Sequence, residues 1–210
     1  MSRLPPPPPP GLLALVPPAW LPLPAGTEVW RIYRAGGAHP QSWNGFRFWG
    51  PHADARFDHH EPPPREQERG VLYGALDVVT CVAEVFQRTN VVARSEHAPY
   101  LTAFALAGEL RLLDLAGTWP TIAGASMALN SALDRARTQA WSRAVYLAYP
   151  DVDGLWYPSS MHANRPAVVL YERAAAALPT TPTLNRPLVD PALDSTVVSA
   201  AHTVGYAIGP

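Results

Sequence analysis

The chain has 210 residues, 48% of them apolar and 16% charged, enough for one domain with a real core and too apolar to stay disordered. A net charge of −1 gives no bulk electrostatic pull toward nucleic acid or an anionic membrane. All 16 basic residues are arginine, which reads as GC-rich coding bias yet favours bidentate grips on phosphate, and the lone Cys81 excludes an internal disulfide framework.

Residues 1–26 are low in complexity. Six consecutive prolines, Pro5 to Pro10, favour polyproline II. Arg3 is the only basic residue ahead of the short apolar run 11–16, so neither a signal peptide nor a membrane span is expected. The stretch reads as a flexible leader, with a Pro-rich docking ligand as the alternative. Order begins near Glu28, where residues 29–34 alternate as a half-buried strand does, Trp30 and Ile32 on one face and Arg31 and Tyr33 on the other. Residues 36–50 read as loop, Arg56 and Phe57 follow, and the charged, Pro-rich stretch 61–70 reads as an exposed insertion.

Gly70 opens a short strand over Val71–Ala75, Asp77 is a good N-cap, and Val78, Cys81, Val82, Val85 and Phe86 recur at helical spacing, predicting a helix over 78–88. Cys81 sits on its apolar stripe as a small core residue. Glu84 lies on the stripe's border, either a solvated flank charge or a carboxylate presented to a cleft. Tyr100–Leu106 and Leu110–Leu115 read as strands joined around Gly108-Glu109, and 117–128 as loop. Asn130 or Ser131 is expected to cap a helix running to Tyr146. Leu155–Tyr157 and Ala167–Tyr171 are strands flanking the segment Pro158 to His162; residues 179–195 return to Pro-rich loop, and 197–208 fit strand or helix. Strands interrupted by two good helices, without strict alternation, predict an α+β fold with a mixed sheet.

Several familiar chemistries are missing. No Gly-rich fingerprint links a strand to a helix, and no GxSxG elbow is present. The seven histidines show no metal-ligand spacing, and His59-His60 read as solvated loop neighbours, so no metal site is expected. What remains is a set of polar residues in otherwise apolar surroundings: Arg31, Tyr33, Arg56, Tyr73, Glu84 and Ser159. Taken singly, each has a plainer reading. Arg31 suits a strand surface, Arg56 a pair with Asp58 or Glu61, Tyr73 a core, Glu84 a helix edge and Ser159 a turn.

The ordered motifs WRIYR, ARFD, GVLY, AEVF, DGLWYPS and AVVLYERA, over residues 28–174, resemble the RES-domain family, named for an Arg, a Glu and a Ser. That resemblance maps the family's Arg onto Arg31, its Glu onto Glu84 and its Ser onto Ser159. A second arginine maps onto Arg56 and an aromatic onto Tyr73. Ser160 stands where members often carry Arg, and the 61–69 insertion is longer and more charged than usual. The resemblance implies a fold similar to ADP-ribosyltransferases over 27–178, with 179–210 a Pro-rich extension on or beside it. It implies NAD⁺ as substrate, and the residues are chemically suited to it. Arg31 and Arg56 could grip its phosphates, Tyr33 and Tyr73 offer rings to nicotinamide or ribose, Glu84 would stabilise charge at the ribose, and Ser159 would orient nicotinamide or its ribose. It further implies a cytoplasmic bacterial toxin of a type II toxin–antitoxin pair, with an Xre-like DNA-binding antitoxin as partner and no direct contact with nucleic acid or membrane. A homo-oligomer or a toxin–antitoxin hetero-oligomer is compatible with it. Phosphate, water and a protein side chain stay open as acceptors, the last making the chain a mono-ADP-ribosyltransferase. A non-toxin effector using the same chemistry is one alternative. A non-catalytic interaction protein using the Pro-rich leader is the alternative of another class.

Overall fold

The alternation at Glu28–Arg34 forms a strand because its apolar side chains are covered on both faces: Val29 and Ile32 belong to different cores. A computed structural model describes residues 4–210; Arg3, weighed above as a signal-peptide residue, lies outside them. In chain order the elements are α1 (Pro10–Leu13), β1 (Trp20–Leu23), β2 (Glu28–Arg34), β3 (Arg47–Gly50), β4 (Arg65–Ala75), α2 (Val78–Phe86), β5 (Val91–Ala93), β6 (Pro99–Ala105) and β7 (Leu110–Asp114). They continue with α3 (Trp119–Ile122), α4 (Arg135–Ala148), β8 (Gly154–Pro158), β9 (Pro166–Tyr171), β10 (Leu184–Pro187), α5 (Asp194–Thr203) and β11 (Ala207–Gly209). This is the mixed α+β fold read from the sequence.

Nine of these strands make one sheet, ordered β1-β7-β8-β9-β4-β2-β6-β10 with β3 paired to β4 off that path. Every pairing in it is antiparallel except β7 with β8. Alternation along β4 sorts the cores. Val71 and Tyr73 pack with α4 through Trp141 and Val145, whereas Ala75, on the same face, packs with α2 and α5 through Cys81, Val82 and Val197. Leu72 points the other way into a third core with Val29, Phe104 and Leu170. One sheet face thus carries two helical cores side by side, with a seam over β4.

Several expectations need correction: β3 and β10 lie in the stretches 36–50 and 179–195 read as loop. Residues 65–70 are not an irregular insertion: they lengthen β4, pairing Glu66 with Trp49 and Arg65 with Gly50 of β3, while Arg65, Glu66 and Glu68 stay exposed as expected. The second long helix starts at Asp134, whose side chain caps the Arg137 N–H, because Met127–Asn130 form a separate 3₁₀ turn. Residues 4–26, read as part of a flexible leader, are built into the fold. Leu13 is fully buried with Trp141 and Tyr149, the Trp141 indole donates to the Pro5 carbonyl at 2.8 Å, and β1 pairs with β7. A few apolar side chains in that stretch suffice to hold it, because they plug the core under α4. The extension after residue 179 packs likewise: β10 pairs with β6 and α5 lies on α2. No helix among the described residues is long and apolar enough to cross a membrane.

Leu13→Ala is expected to cost about 2–4 kcal/mol in chemical denaturation, the range for emptying a buried leucine site. A loss below about 0.5 kcal/mol, normal for an uninvolved surface position, would restore the flexible-leader reading.

Candidate active site

Asp77 starts α2 by accepting the Thr80 N–H at 2.7 Å, and the apolar stripe then turns Cys81, Val82 and Phe86 toward the sheet. Glu84, one turn after Thr80, is left half-buried at the seam between the two cores. Ser159 reaches it from the end of β8. Its hydroxyl donates to Glu84 Oε1 at 2.5 Å, while its oxygen accepts the Met161 and His162 N–H groups, each at 3.2 Å. Burial pushes the Glu84 carboxyl above its ordinary range; the Ser159 hydrogen bond and the charges of Arg56 and Arg135 oppose this without cancelling it.

Arg56 comes from the loop 52–60, which α4 grips. Gln139 Nε2 donates to the His52 and Ala55 carbonyls at 2.8 Å each, and the Ser142 hydroxyl donates to the Phe57 carbonyl at 2.7 Å. From β4, the Tyr73 hydroxyl accepts the Phe57 N–H at 3.2 Å. The Arg56 guanidinium donates through Nη2 to Ser160 Oγ at 3.2 Å, but its Nη1 is buried without a partner. Burial and the neighbouring Arg135 both lower the Arg56 pKa, and Glu84 pulls it back up. An unsatisfied guanidinium donor near a second guanidinium is suited to an anion. Tyr157, two residues before Ser159 on the same strand face, packs on Phe57 with ring centroids 4.9 Å apart. Burial, reinforced by Glu84 and Tyr73, holds its hydroxyl well above the usual tyrosine range.

Arg56, Tyr73, Glu84 and Ser159 are therefore brought together, and Arg31 and Tyr33 are not. Trp30 pairs with Ala75, so Trp30 and Ile32 share the sheet face under α2 while Arg31 and Tyr33 leave the opposite face with Val29. Arg31 is buried there and donates to the Trp43 carbonyl at 2.9 Å; burial lowers its pKa to about 10. Tyr33 stacks on Tyr100 and donates to Asn185 Oδ1 at 3.0 Å. His59 and His60 also differ from expectation: both are fully buried, His60 against Asp58 and His59 between the rings of Tyr146 and Tyr171. Burial alone would raise the Asp58 carboxyl, but His60, Arg47 and the His52 N–H outweigh it and hold it below its ordinary range. This ionic shelf is the C-terminal half of the Arg56 loop itself. Among the described residues no group of three or more His, Cys, Asp or Glu side chains is placed to hold a metal.

Sequence reasoning missed Arg135, Tyr157 and His162. Tyr157 stood inside the DGLWYPS motif. Arg135 had a signal of its own: an arginine straight after a capping Asp134 opposes the helix macrodipole, a choice that usually needs a reason elsewhere.

A family model described as RES domain matches residues 28–189. Among solved structures, a chain of the crystal structure of the M.tuberculosis MbcT-MbcA toxin-antitoxin complex aligns with a TM-score of 0.56 and 17% identity, covering 85% of this chain and 92% of that one. No curated protein matches the chain.

Raising the folded-state pKa of Glu84 above its unfolded value makes the neutral acid the form the fold favours. That stability is complete below the unfolded carboxyl pKa of about 4.3 and is lost as pH rises through the folded value. Glu84→Gln, which can still accept from Ser159, is therefore expected to melt above the unaltered protein at neutral pH and level with it below about pH 4. Paired melting curves across pH check this, and a Gln variant that melts lower at neutral pH contradicts it.

Proposed function

The chain belongs to the RES-domain family, and from that premise we propose that it is an NAD⁺-consuming enzyme, the toxin of a toxin–antitoxin pair. The observation that carries this reading is the Glu84–Ser159 hydrogen bond at 2.5 Å beside an arginine with a buried, unpartnered donor. Cleavage of the nicotinamide–ribose bond passes through an oxocarbenium-like state, so charge develops where a fixed carboxylate helps most. In this reading Glu84 lies under the ribose and stabilises that charge, and Ser159, its oxygen held by two backbone N–H groups, orients the carboxylate and the nicotinamide side of the substrate. Ser159 is no nucleophile here, since His162, three residues on, meets it through the backbone N–H alone.

The bond from ribose C1′ to the nicotinamide nitrogen breaks, the pair of electrons neutralises the pyridinium ring, and an acceptor oxygen bonds to C1′ and gives up its proton. Arg56 and Arg135, not Arg31, then hold phosphate oxygens by charge-assisted hydrogen bonds. Those phosphates belong to the dinucleotide or, where inorganic phosphate is the acceptor, to it as well. Tyr73 and Tyr157 wall the site with apolar ring faces. Arg31 shapes the loop around Trp43 and is assigned no contact with the reacting atoms. The aligned chain was crystallised in a toxin–antitoxin complex, which supports an antitoxin partner here, and an Xre-like DNA-binding protein is the form proposed.

Purified protein incubated with NAD⁺, with and without phosphate, is expected to release nicotinamide. Mass analysis then shows phosphorylated ADP-ribose if phosphate is the acceptor and free ADP-ribose if water is. Glu84→Gln should lower kcat at least about 100-fold, the loss usual for a preorganised electrostatic group. Intact NAD⁺ under both conditions would support the non-catalytic interaction protein instead.

A further inference from the structure

Glu84 and Ser159 come from segments 75 residues apart, and their one hydrogen bond does not by itself fix how the turn after β8 sits on α2. A second attachment lies one helical turn away. The Thr80 hydroxyl donates to Asp77 Oδ2 at 2.8 Å and is 2.8 Å from His162 Nδ1, and that ring nitrogen lies 3.9 Å from Asp77 Oδ1. A carboxylate only accepts, so the single Thr80 hydroxyl proton goes to Asp77 and the His162 Nδ1 must bring its own. The ring is thereby fixed as an Nδ1–H donor, whether neutral or protonated.

The pairs match in spacing. Thr80 and Glu84 are four apart on one helix face, and His162 and Ser159 are three apart in the turn, so the turn meets α2 at two successive steps. The turn also carries strain, because Ala163 (φ 45°) and Asn164 (φ 59°) are both left-handed non-glycine residues. Such a backbone relaxes unless its surroundings over-determine it. Here backbone bonds from Asn164 to Ser159, Ser159 to Arg165 and Arg165 to His162 close the turn, and the Ser159 Oγ bonds and the His162 ring bond fasten it outward.

We infer that His162 is a positioning residue: through Thr80 and Asp77 it clamps the Ser159 turn onto α2 and so sets the Glu84–Ser159 geometry on which the proposed NAD⁺ cleavage rests. The substrate touches neither Thr80 nor Asp77 in this scheme. Because the clamp is one unit, losing either end loses all of it.

The test compares His162→Ala, Thr80→Val and their double variant with the conservative His162→Asn and Thr80→Ser, in the full chain. Misplacing the turn should lower kcat about 10- to 100-fold with KM changed less than about threefold. The double variant should be no worse than the worse single one, and Asn and Ser should restore kcat to within about threefold. Amide hydrogen exchange of Met161 and His162, read without substrate, should quicken in Thr80→Val while α4 amides stay protected. Additive losses, full activity in His162→Ala, or unchanged exchange in Thr80→Val would overturn the clamp. An unaltered protein that leaves NAD⁺ intact would sink the proposed function, yet the exchange result would still decide the clamp.

Discussion

The carboxyl of Glu84 is the constraint on which this structure turns. It is placed at a seam between two apolar cores, where ionising it costs solvation, and it is kept there by one hydroxyl donor and two nearby guanidinium charges that only partly offset that cost. Removing any of these leaves the carboxyl freer to turn to solvent. The local fold serves this placement. Asp77 starts α2 at the position that brings Glu84, not Val85, to the seam, and β8 ends where Ser159 can reach across.

The arginine side of the seam is built with the same economy of backbone contacts. A loop carrying Arg56 would swing if left alone, but Gln139 and Ser142 of α4 and Tyr73 of β4 hold its main chain at four points. Further along the same loop Asp58 is bound by Arg47 and His60, and nearby Glu172 is gripped by the Tyr146 hydroxyl at 2.5 Å and the Gly70 N–H at 2.8 Å. Burial pushes the Glu172 carboxyl up, but these bonds and His59 bring it down to about 2. The Asp58 and Glu172 carboxylates bound in this way tie down their surroundings, while both His59 ring nitrogens and His60 Nε2 are, like Arg56 Nη1, buried without hydrogen-bond partners.

The segments at either end brace the helices that frame the site, although β1, α1 and α5 lie beyond the stretch that the family model matches. The N-terminal one fills the core beneath α4, whose first turn bears Arg135. The C-terminal one covers the outer side of α2 with Leu193, Val197 and Ala201, and the Tyr206 hydroxyl donates to the Ala83 carbonyl at 3.1 Å, beside Glu84. Both supports combine hydrogen bonds and strand pairing with ordinary apolar burial, each fully buried apolar side chain contributing about 1.5–3 kcal/mol.

The sequence by itself determined the strand at β2, the Asp77 cap, the period of α2, the border position of Glu84 and the sorting of Arg31 from Ile32 onto opposite strand faces, because each is a local property of spacing and side-chain chemistry. It also carried the family motifs in order. Burial of His59 and His60, the fastening of the N-terminal segment and the pairing of residues 65–70 with β3 were not legible, since each depends on a partner far along the chain. Arg31 shows where the division falls. Its strand face was read correctly, but which face meets Glu84 is decided by the pairing of Trp30 with Ala75 and by the side on which α2 packs. Periodicity says which residues travel together; only register and strand order, set by contacts between distant segments, say what they meet.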